Sequence, residues 1–478
     1  MPERFSFEST LSASGARPSA QRTEESPFRI LLLGDFSGRE SRGIVESVRG
    51  RRGGAVDFDK FDALMAKLAP RLELELPQGE KVALSFSRLD DFHPDRLWET
   101  EFFAPHRKMR GELSNPATFA AAMASVAPQA EAAAAPPASE AADLWKQLTD
   151  LPASTASASS PVTAVEAMIK QAVAAHIVSG PDPRQAEMIA VFDNAVSGQM
   201  RAVLHHPRFQ ALEAAWRGVD FLLRNLDTDE TLEVFLLDVS RAELAADLRM
   251  EGAVSATAEI IVEQPVGSKP WTVIAGLYSF QPDSEDDADL LARLAHVAAA
   301  ARAPFVAGGG AGFLDLAQAR PGERETPAAW QTLRGFPAAR HAGLVSPRFL
   351  LRLPYGRNID AIDHFAFEEM PPKAPHEALL WGNAALIAVM LLAIAWREEG
   401  WEFSAPANAE VNGLPVYVVT EGGEKKLTPC GEVLLTDRIA ENLLALGIMP
   451  LATVRDRDAV RLMRFQSIAL PAAALGGL

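Results

Sequence analysis

Hydrophobic residues recur along the chain with two periods, one typical of strands and the other typical of helices. Residues 71–76 alternate strictly between polar and apolar side chains, and Val82, Leu84 and Phe86 alternate again after a short turn. This pattern predicts a β-hairpin with one buried face. Further on, apolar residues fall at steps of three and four, which predicts one amphipathic helix. They are Phe209, Leu212, Trp216, Val219, Leu223 and Leu226.

Apolar runs alternate with helical patterns in the second half of the chain. The runs at 232–239, 271–277 and 305–307 predict buried strands. Ser240 with Glu243 three residues later is a capping box, which predicts a helix after the first of these strands. The order of strand, helix, strand, helix and strand indicates a doubly wound α/β core.

Other helix ends carry signals of their own. The acidic stretch 283–289 favours the start of a helix that is predicted to end near Arg302. Thr436 caps a later helix that is predicted to end at Gly447, and a strand at 448–454 follows it. These elements extend the predicted α/β core toward the end of the sequence.

Three zones of composition divide the chain. Residues 1–125 contain a buried strand at 30–33, the hairpin and helices, which predict a small sheet domain. Residues 126–162 are rich in Ala, Pro and Ser and are predicted to form a flexible linker with a short helix around Trp145. Residues 163–478 form the larger α/β domain, on which we expect the small sheet to dock. The fold class is therefore α/β, with mixed α+β character.

Composition narrows the function. The 478 residues carry a net charge of −17, which argues against a nucleic-acid partner because such a partner requires a basic surface. The single cysteine excludes a disulfide framework and a multi-cysteine metal site. The first residues show no apolar secretory segment, so we expect a cytoplasmic protein.

One uncharged stretch, 378–396, is long enough to span a bilayer. Its many alanines, together with Gly382 and Asn383, favour a buried core helix instead. The charges on either side show no basic bias toward one end. We therefore expect no membrane insertion.

The sequence GDFSGRE at 34–40 follows the first predicted strand, a position where nucleotide sites and nucleophiles often lie. A phosphate loop needs a lysine after its second glycine, and Arg39 and Glu40 stand there instead. A nucleophile elbow needs a glycine on both sides of Ser37 at a spacing of two, which is absent. The pattern favours a tight turn in which Gly34 and Gly38 serve backbone geometry.

A second glycine run, Gly308 to Gly312, follows the strand at 305–307. Ligands of doubly wound sheets bind at such strand ends, so a nucleotide-binding enzyme using this loop stays open as an alternative. The run lacks the G-x-G-x-x-G spacing of dinucleotide loops, which favours close backbone packing.

The remaining polar groups give no enzyme or metal signature, so we expect no catalytic residue, cofactor or metal. The acidic stretch 283–289 lacks the spacing of a calcium loop, and the dipole of a helix explains it. His205 and His206 are adjacent and point apart on a helix. His364 and Glu368 could share one helical face, but a third ligand is lacking nearby. Cys430 is expected to be a buried or incidental thiol.

Two sets of segments resemble a known family. The segments PFRILLLGDFSGR, DFDKFDALMAKLAPRLELELP and LSFSRLDDFHPDRL resemble the small contractile-sheath subunit of the bacterial type VI secretion system, over roughly 25–125. Over roughly 165–468, six further segments resemble the large sheath subunit of the same system. They are HPRFQALEAAWRGVDFLLRNL, LEVFLLDVSRAELAADL, LLARLAHVAAAARAPFVAG, GLVSPRFLLRLPYG, LLWGNAA and LLTDRIAENLLALGIMPL. The chain therefore resembles both subunits fused through the linker.

This resemblance implies a structural role without catalysis. It implies self-association or assembly with other sheath subunits into a helical tube around an inner tube protein, contact with a baseplate, and recycling by an AAA+ unfoldase. Contraction of such a tube drives the inner tube outward. Large subunits usually continue well past the segment that corresponds to RFQSIALP, so a shortened, non-polymerising homologue that caps or regulates assembly stays open as an alternative.

Overall fold

The structure is a computed structural model that describes residues 25–124, 182–250, 255–263, 265–266, 269–320, 322–371, 374–421 and 424–478. The predicted linker and its short helix lie outside the described residues. The strands are β1 (Phe28–Gly34), β2 (Gly54–Val56), β3 (Arg71–Glu75), β4 (Lys81–Ser85), β5 (Leu232–Asp238), β6 (Val273–Phe280), β7 (Phe305–Gly309), β8 (Ala342–Ser346), β9 (Phe349–Leu350), β10 (Trp381–Gly382), β11 (Ala409–Val411), β12 (Val418–Glu421), β13 (Glu424–Leu427), β14 (Ile448–Thr453) and β15 (Val460–Leu462).

The helices include every long helix that the sequence pattern predicted within the described residues. They are α1 (Phe61–Leu68), α2 (Pro94–Trp98), α3 (Ala104–Ser114), α4 (Gln185–Leu204), α5 (Pro207–Asn225), α6 (Arg241–Leu248), α7 (Ala256–Ala258), α8 (Glu285–Ala301), α9 (Ala311–Gln318), α10 (Ala328–Arg334), α11 (Ala385–Glu399) and α12 (Asp437–Ala445). The capping box of Ser240 and Glu243 and the cap by Thr436 are both formed, so these two predicted helix starts are confirmed.

A nine-stranded sheet forms the core, in the order β11-β15-β14-β8-β7-β6-β1-β5-β2. The strands from β5 to β14 in this order pair in parallel, and the antiparallel strands β2, β15 and β11 lie at the two edges. Parallel strands covered by helices on both faces are buried throughout, which explains the continuous apolar runs. The predicted α/β class is confirmed.

The first strand occupies a place that differs from the expected docked sheet. β1 pairs in parallel with β5 along its whole length, from Phe28 opposite Leu232 to Gly34 opposite Asp238. On its other side it pairs with β6. All seven residues of β1 are buried. A strand from the N-terminal zone is therefore a central strand of the large sheet, where it buries apolar side chains on both faces.

The predicted hairpin is confirmed as β3 and β4, which pair only with each other among the described residues. Leu72 lies opposite Leu84 and Leu74 opposite Val82, and these side chains are buried. The charged residues between them face outward, as the strict alternation predicted.

The uncharged stretch 378–396 is mostly the buried helix α11, and its first residues lie in a 3-10 turn and β10. α11 is buried on all sides, since residues from Ala385 through Ala393 are each at most 4% exposed. Among the described residues, no helix is both long enough and apolar enough to cross a membrane. The preference for a core helix is therefore confirmed.

The chain divides into two compact units. The larger contains the described parts of Met1–His93, Ala202–Asp360 and Glu369–Leu478, and the smaller those of Pro94–Arg201 and Ala361–Glu368. In the smaller unit, Leu113, Phe119, Ala122 and Met188 form an apolar cluster. Arg110 pairs with both carboxylate oxygens of Asp193 in that unit, at 2.7 and 3.0 Å. The boundaries of these units differ from those of the predicted zones 1–125, 126–162 and 163–478. The three zones therefore stay a prediction.

Candidate functional site at the carboxyl edge of the sheet

The carboxyl ends of the parallel strands bring together most of the residues that the sequence singled out. The loop after β1 holds GDFSGRE, β5 ends at Asp238, and the glycine run begins in β7. The acidic stretch follows β6 and opens α8. In doubly wound proteins this edge is where ligands bind, so it is the first place to look for chemistry.

The loop after β1 is held by two carboxylates. Ser37 donates its backbone N–H to one oxygen of Asp238 at 3.0 Å and its hydroxyl to the other at 2.7 Å. Asp35 accepts hydrogen bonds from the backbone N–H groups of Arg39 and Glu40, each at 2.8 Å. The Ser37 hydroxyl is thus bound to a carboxylate rather than to a histidine base, so this geometry does not activate it as a nucleophile.

Gly38 serves backbone geometry, as predicted. Its φ is +71°, and a Cβ at this position would lie 2.2 Å from the carbonyl oxygen of Arg71. Only glycine fits such a close approach with a left-handed backbone. Gly34 has no positive φ, and a Cβ there would meet the ring of Phe36 at 3.2 Å, so its constraint is packing.

Burial and neighbouring charges change the pKa of a carboxylate in this loop, that of Asp35. Burial raises the pKa of Asp35, and the neighbouring carboxylates of Asp238 and Glu40 add to the rise, against the hydrogen bonds from Glu40 and Arg39. The guanidinium of Arg39 lies 3.1 Å from Asp238 and compensates this negative charge. The group is therefore a compact ionic cluster.

A second ionic contact joins the segment after the loop to α6. Arg51 donates to both oxygens of Glu243, at 2.7 and 2.8 Å, and the backbone N–H of Glu46 donates to the same carboxylate at 3.0 Å. Burial opposes the charge of Glu243, but the hydrogen bonds from Arg51, Ser240 and Glu46 outweigh it and lower the pKa to about 2. The carboxylate of the capping box thus also fixes a segment that lies about 200 positions earlier in sequence.

The glycine run is filled by the protein's own side chains. A Cβ at Gly310 would lie 2.3 Å from the amide nitrogen of Gln281, and one at Gly308 would lie 3.0 Å from that of Asn383. The N–H of Gly312 donates to the side-chain oxygen of Gln281 at 3.0 Å. Close backbone packing is confirmed, and the nucleotide-binding alternative is not favoured.

The acidic stretch opens α8 and pairs with arginines. Asp287 accepts a hydrogen bond from the backbone of Gln281 at 2.7 Å and pairs with Arg241. Arg249 pairs with Asp286 at 2.7 Å and with Asp289 at 2.8 Å. In the part of the chain that the structure describes, no group of three or more carboxylate, histidine and cysteine side chains could hold a metal ion.

The other candidate groups lie apart from this edge. The expectation that His205 and His206 lie on a helix is wrong, because both lie between α4 and α5. The ring of His206 caps α5 by accepting from the N–H of Arg208 at 3.2 Å. The idea that His364 and Glu368 share a helical face is wrong, because 361–368 contains no helix. Cys430 is buried, and burial, with Asp458 adding to it, raises the pKa of its thiol to about 11. The interpretation of Cys430 as a buried thiol is confirmed.

Sequence reasoning missed a buried ionic group in the larger unit, which we call the Arg352 cluster: Glu213, Arg217, Arg352, Tyr355 and Glu369. Arg352 donates to Glu213 at 2.7 Å and to both oxygens of Glu369 at 2.7 and 3.0 Å. Arg217 donates to Glu213 at 2.7 Å and to the hydroxyl of Tyr355 at 2.8 Å. The only local signal was Glu213 beside the apolar stripe of α5, four residues before Arg217.

The sequence also missed Arg29, a buried cation in β1. Its guanidinium lies 4.5 Å from the ring centres of both Phe235 and Trp271, and its Nε pairs with Glu233 at 2.8 Å. Two neighbouring aromatic rings and one carboxylate stabilise the buried charge. Taken together, the polar groups at this edge and in the core join segments that are distant in sequence, and the arrangement is suited to holding structure.

Two family profiles match different parts of the chain. Residues 186–469 match the VipB family, described as EvpB/VC_A0108, tail sheath N-terminal domain. Residues 14–100 match a family described as type VI secretion system, VipA, VC_A0107 or Hcp2. β1 lies in the second matched region and its neighbours β5 and β6 lie in the first, so one sheet contains strands from both.

A curated relative supports the first match. The type VI secretion system sheath protein TssC1 of Pseudomonas aeruginosa is 31% identical over 307 residues, which cover 60% of this chain. The aligned part spans 61% of the relative, less than two thirds of its length.

Proposed function

This chain belongs to the VipB tail sheath family, and we propose that it is a structural component of a type VI secretion sheath. In this proposal, copies of the chain assemble around an inner tube, and contraction of the assembly drives that tube outward. The observation that carries the proposal is the nine-stranded sheet, in which a strand from the VipA-matching region lies between strands of the VipB-matching region.

The charged groups at the carboxyl edge support a structural role rather than an enzymatic one. Arg51 and Glu243, and Arg39 and Asp238, join the two matched regions by ionic contacts. The glycine run that an enzyme would use is occupied by Gln281 and Asn383. We therefore propose that the protein is not an enzyme and works through its interfaces.

The setting follows from the same proposal. The protein acts in the cytoplasm, without membrane insertion or a nucleic-acid partner, and its partners are other sheath subunits, the inner tube protein and a baseplate. An AAA+ unfoldase recycles the contracted form. Residues 1–125 supply the small-subunit part, 126–162 the linker and 163–478 the large-subunit part.

Assembly can be tested directly by negative-stain electron microscopy of the full chain, expressed alone and together with an inner tube protein from the same genome. The proposal predicts tubes of uniform diameter. A matched control is Leu32→Asp, which places a charge in the centre of the sheet and should abolish tubes. A monodisperse monomer at high concentration under both conditions would contradict the proposal.

A further inference from the structure

The chain passes between its two compact units at four points, which we call the passages. They are His93–Pro94, Arg201–Ala202, Asp360–Ala361 and Glu368–Glu369. In the larger unit, the residues at these passages lie in two pairs. Nε2 of His93 is 3.7 Å from the carboxylate of Asp360. Nε2 of His205, three residues after Ala202, is 3.6 Å from the carboxylate of Glu369.

The smaller unit shows the same pairing on its own side of each passage. Arg201 donates to the carbonyl oxygen of Glu368 at 3.0 Å. The carboxylate of Asp95 accepts a hydrogen bond from the backbone N–H of Asp363 at 3.0 Å. The first and third passages are thus paired within each unit, and so are the second and fourth.

The Arg352 cluster links the two pairs within the larger unit. The ring of Tyr355 packs edge-on against His93, with ring centres 4.8 Å apart. The backbone N–H of the same tyrosine donates to Glu369 at 2.8 Å. Through Tyr355, the pair that contains His93 is connected to the pair that contains Glu369.

The cost of burying this cluster makes a purely stabilising role a poor explanation. Buried ion pairs contribute little net stability compared with apolar residues of the same volume, although removing one partner is strongly destabilising. Glu369 is 1% exposed and Glu213 is fully buried. Fixing one arrangement out of several is the best-attested use of such groups.

We infer that the Arg352 cluster is a clamp. It holds the residues of the larger unit that adjoin all four passages in one arrangement. The segment 353–360, which leads to the third passage, is held at Tyr355, and the segment that returns at the fourth is held at Glu369 itself. The inference concerns the protein as a single chain and does not depend on the proposed sheath assembly.

Hydrogen–deuterium exchange of the full chain tests this clamp in the triple variant Arg352→Met/Glu213→Gln/Glu369→Gln, which removes the charge of Arg352 together with those of both its carboxylate partners and leaves Arg217 its hydrogen bond to Tyr355. Amides at 353–360, 202–206 and 369–371 should exchange roughly tenfold to a hundredfold faster, since hydrogen bonds to charged groups are lost there. Amides in β1 and β6 should keep their protection. The matched control Arg29→Met/Glu233→Gln removes another buried ion pair and should leave the passage segments unchanged.

Two results would overturn the clamp: unchanged exchange at the passage segments, or an equal rise throughout the larger unit. If the triple variant does not fold, Glu369→Gln alone decides, because Arg352 then keeps its contact with Glu213. In that variant 353–360 and 369–371 should still exchange faster than in the parent, and an unaltered rate there would reject the inference.

Discussion

Ser37 donates two hydrogen bonds to the carboxylate of Asp238, although the two residues lie 201 positions apart in the sequence. They stand at the carboxyl ends of the adjacent parallel strands β1 and β5, where Gly34 lies opposite Asp238. The contact therefore fixes the loop after β1 to a strand from the other matched region. Removing the carboxylate of Asp238 would leave the buried donors of Ser37 without an acceptor.

Asp238→Ala should lower the free energy of unfolding by roughly 3 kcal/mol, because a buried charged acceptor is lost while Ser37 and Arg39 stay in place. Urea denaturation followed by tryptophan fluorescence measures this change. Asp220→Ala is the matched control, since it breaks an ion pair with Arg224 on the surface of α5 and should cost less than about 1 kcal/mol. Equal losses of unfolding free energy in the two variants would mean that the buried contact of Asp238 contributes no more than a surface ion pair.

Gly38→Ala should be far more disruptive than Gly43→Ala. Both glycines have a positive φ, +71° and +63°, so both substitutions carry a backbone cost of about 1 kcal/mol. Only at Gly38 would the new Cβ collide with a backbone oxygen, that of Arg71, whereas Gly43 has open space. Thermal unfolding of the two variants separates the steric contribution from the conformational one, and equal melting temperatures would show that the loop relaxes freely.

Glu243 should make the protein lose stability in acid. Its pKa is lowered to about 2 in the folded protein, so the folded state keeps the charge where the unfolded chain takes up a proton. The stabilisation is complete above about pH 4.5 and is lost as the pH falls toward 2, with a magnitude of about 3 kcal/mol.

The variant Glu243→Gln should therefore show a shallower loss of unfolding free energy between pH 5 and pH 3 than the parent, measured by urea denaturation at each pH. Glu398→Gln removes a carboxylate exposed on α11 and should leave the acid dependence nearly unchanged. An unaltered slope in Glu243→Gln would mean that this carboxylate does not carry the acid dependence.

Cutting the chain between the two matched regions should leave the fold intact. A site for a specific protease, inserted among 126–162, allows the purified protein to be cleaved after folding. Because β1 is a central strand bonded on both sides, the two fragments should co-elute in size exclusion and separate only in denaturant. Fragments that separate under native conditions would contradict the placement of β1, and expression of 182–478 alone should give insoluble protein.

The local sequence pattern predicts where helices and strands form, but it does not predict which strands pair with each other. The continuous apolar run at Ile30 to Leu33 identified β1, but periodicity carries no information about which strand it pairs with, and its neighbours lie some 200 positions later. The expectation that β1 lies in a separate small sheet is therefore wrong. The prediction of the hairpin β3–β4 is confirmed, because the pairing of its strands is local.

The same limit applies to the polar residues. The spacing of GDFSGRE and of the glycine run sufficed to reject known nucleotide and nucleophile motifs, but Gln281 and Asn383, which fill the run, come from other segments. Arg352 and Glu213 are separated by 139 positions, so no local pattern could have paired them. His364 and Glu368 have the spacing of one helical face, but their segment contains no helix.

Cys430 should be almost unreactive in the native protein. Burial and Asp458 raise the pKa of its thiol to about 11 from a usual value of 9.0, so the thiolate fraction at pH 8 falls roughly a hundredfold. Ellman's reagent should label it at least about a hundred times more slowly in buffer than in guanidinium chloride. A matched control places the single thiol at an exposed position, Leu434→Cys in a Cys430→Ser background, and should react fast in both solvents. Native Cys430 reacting as fast as this control would show that its pocket opens to solvent readily.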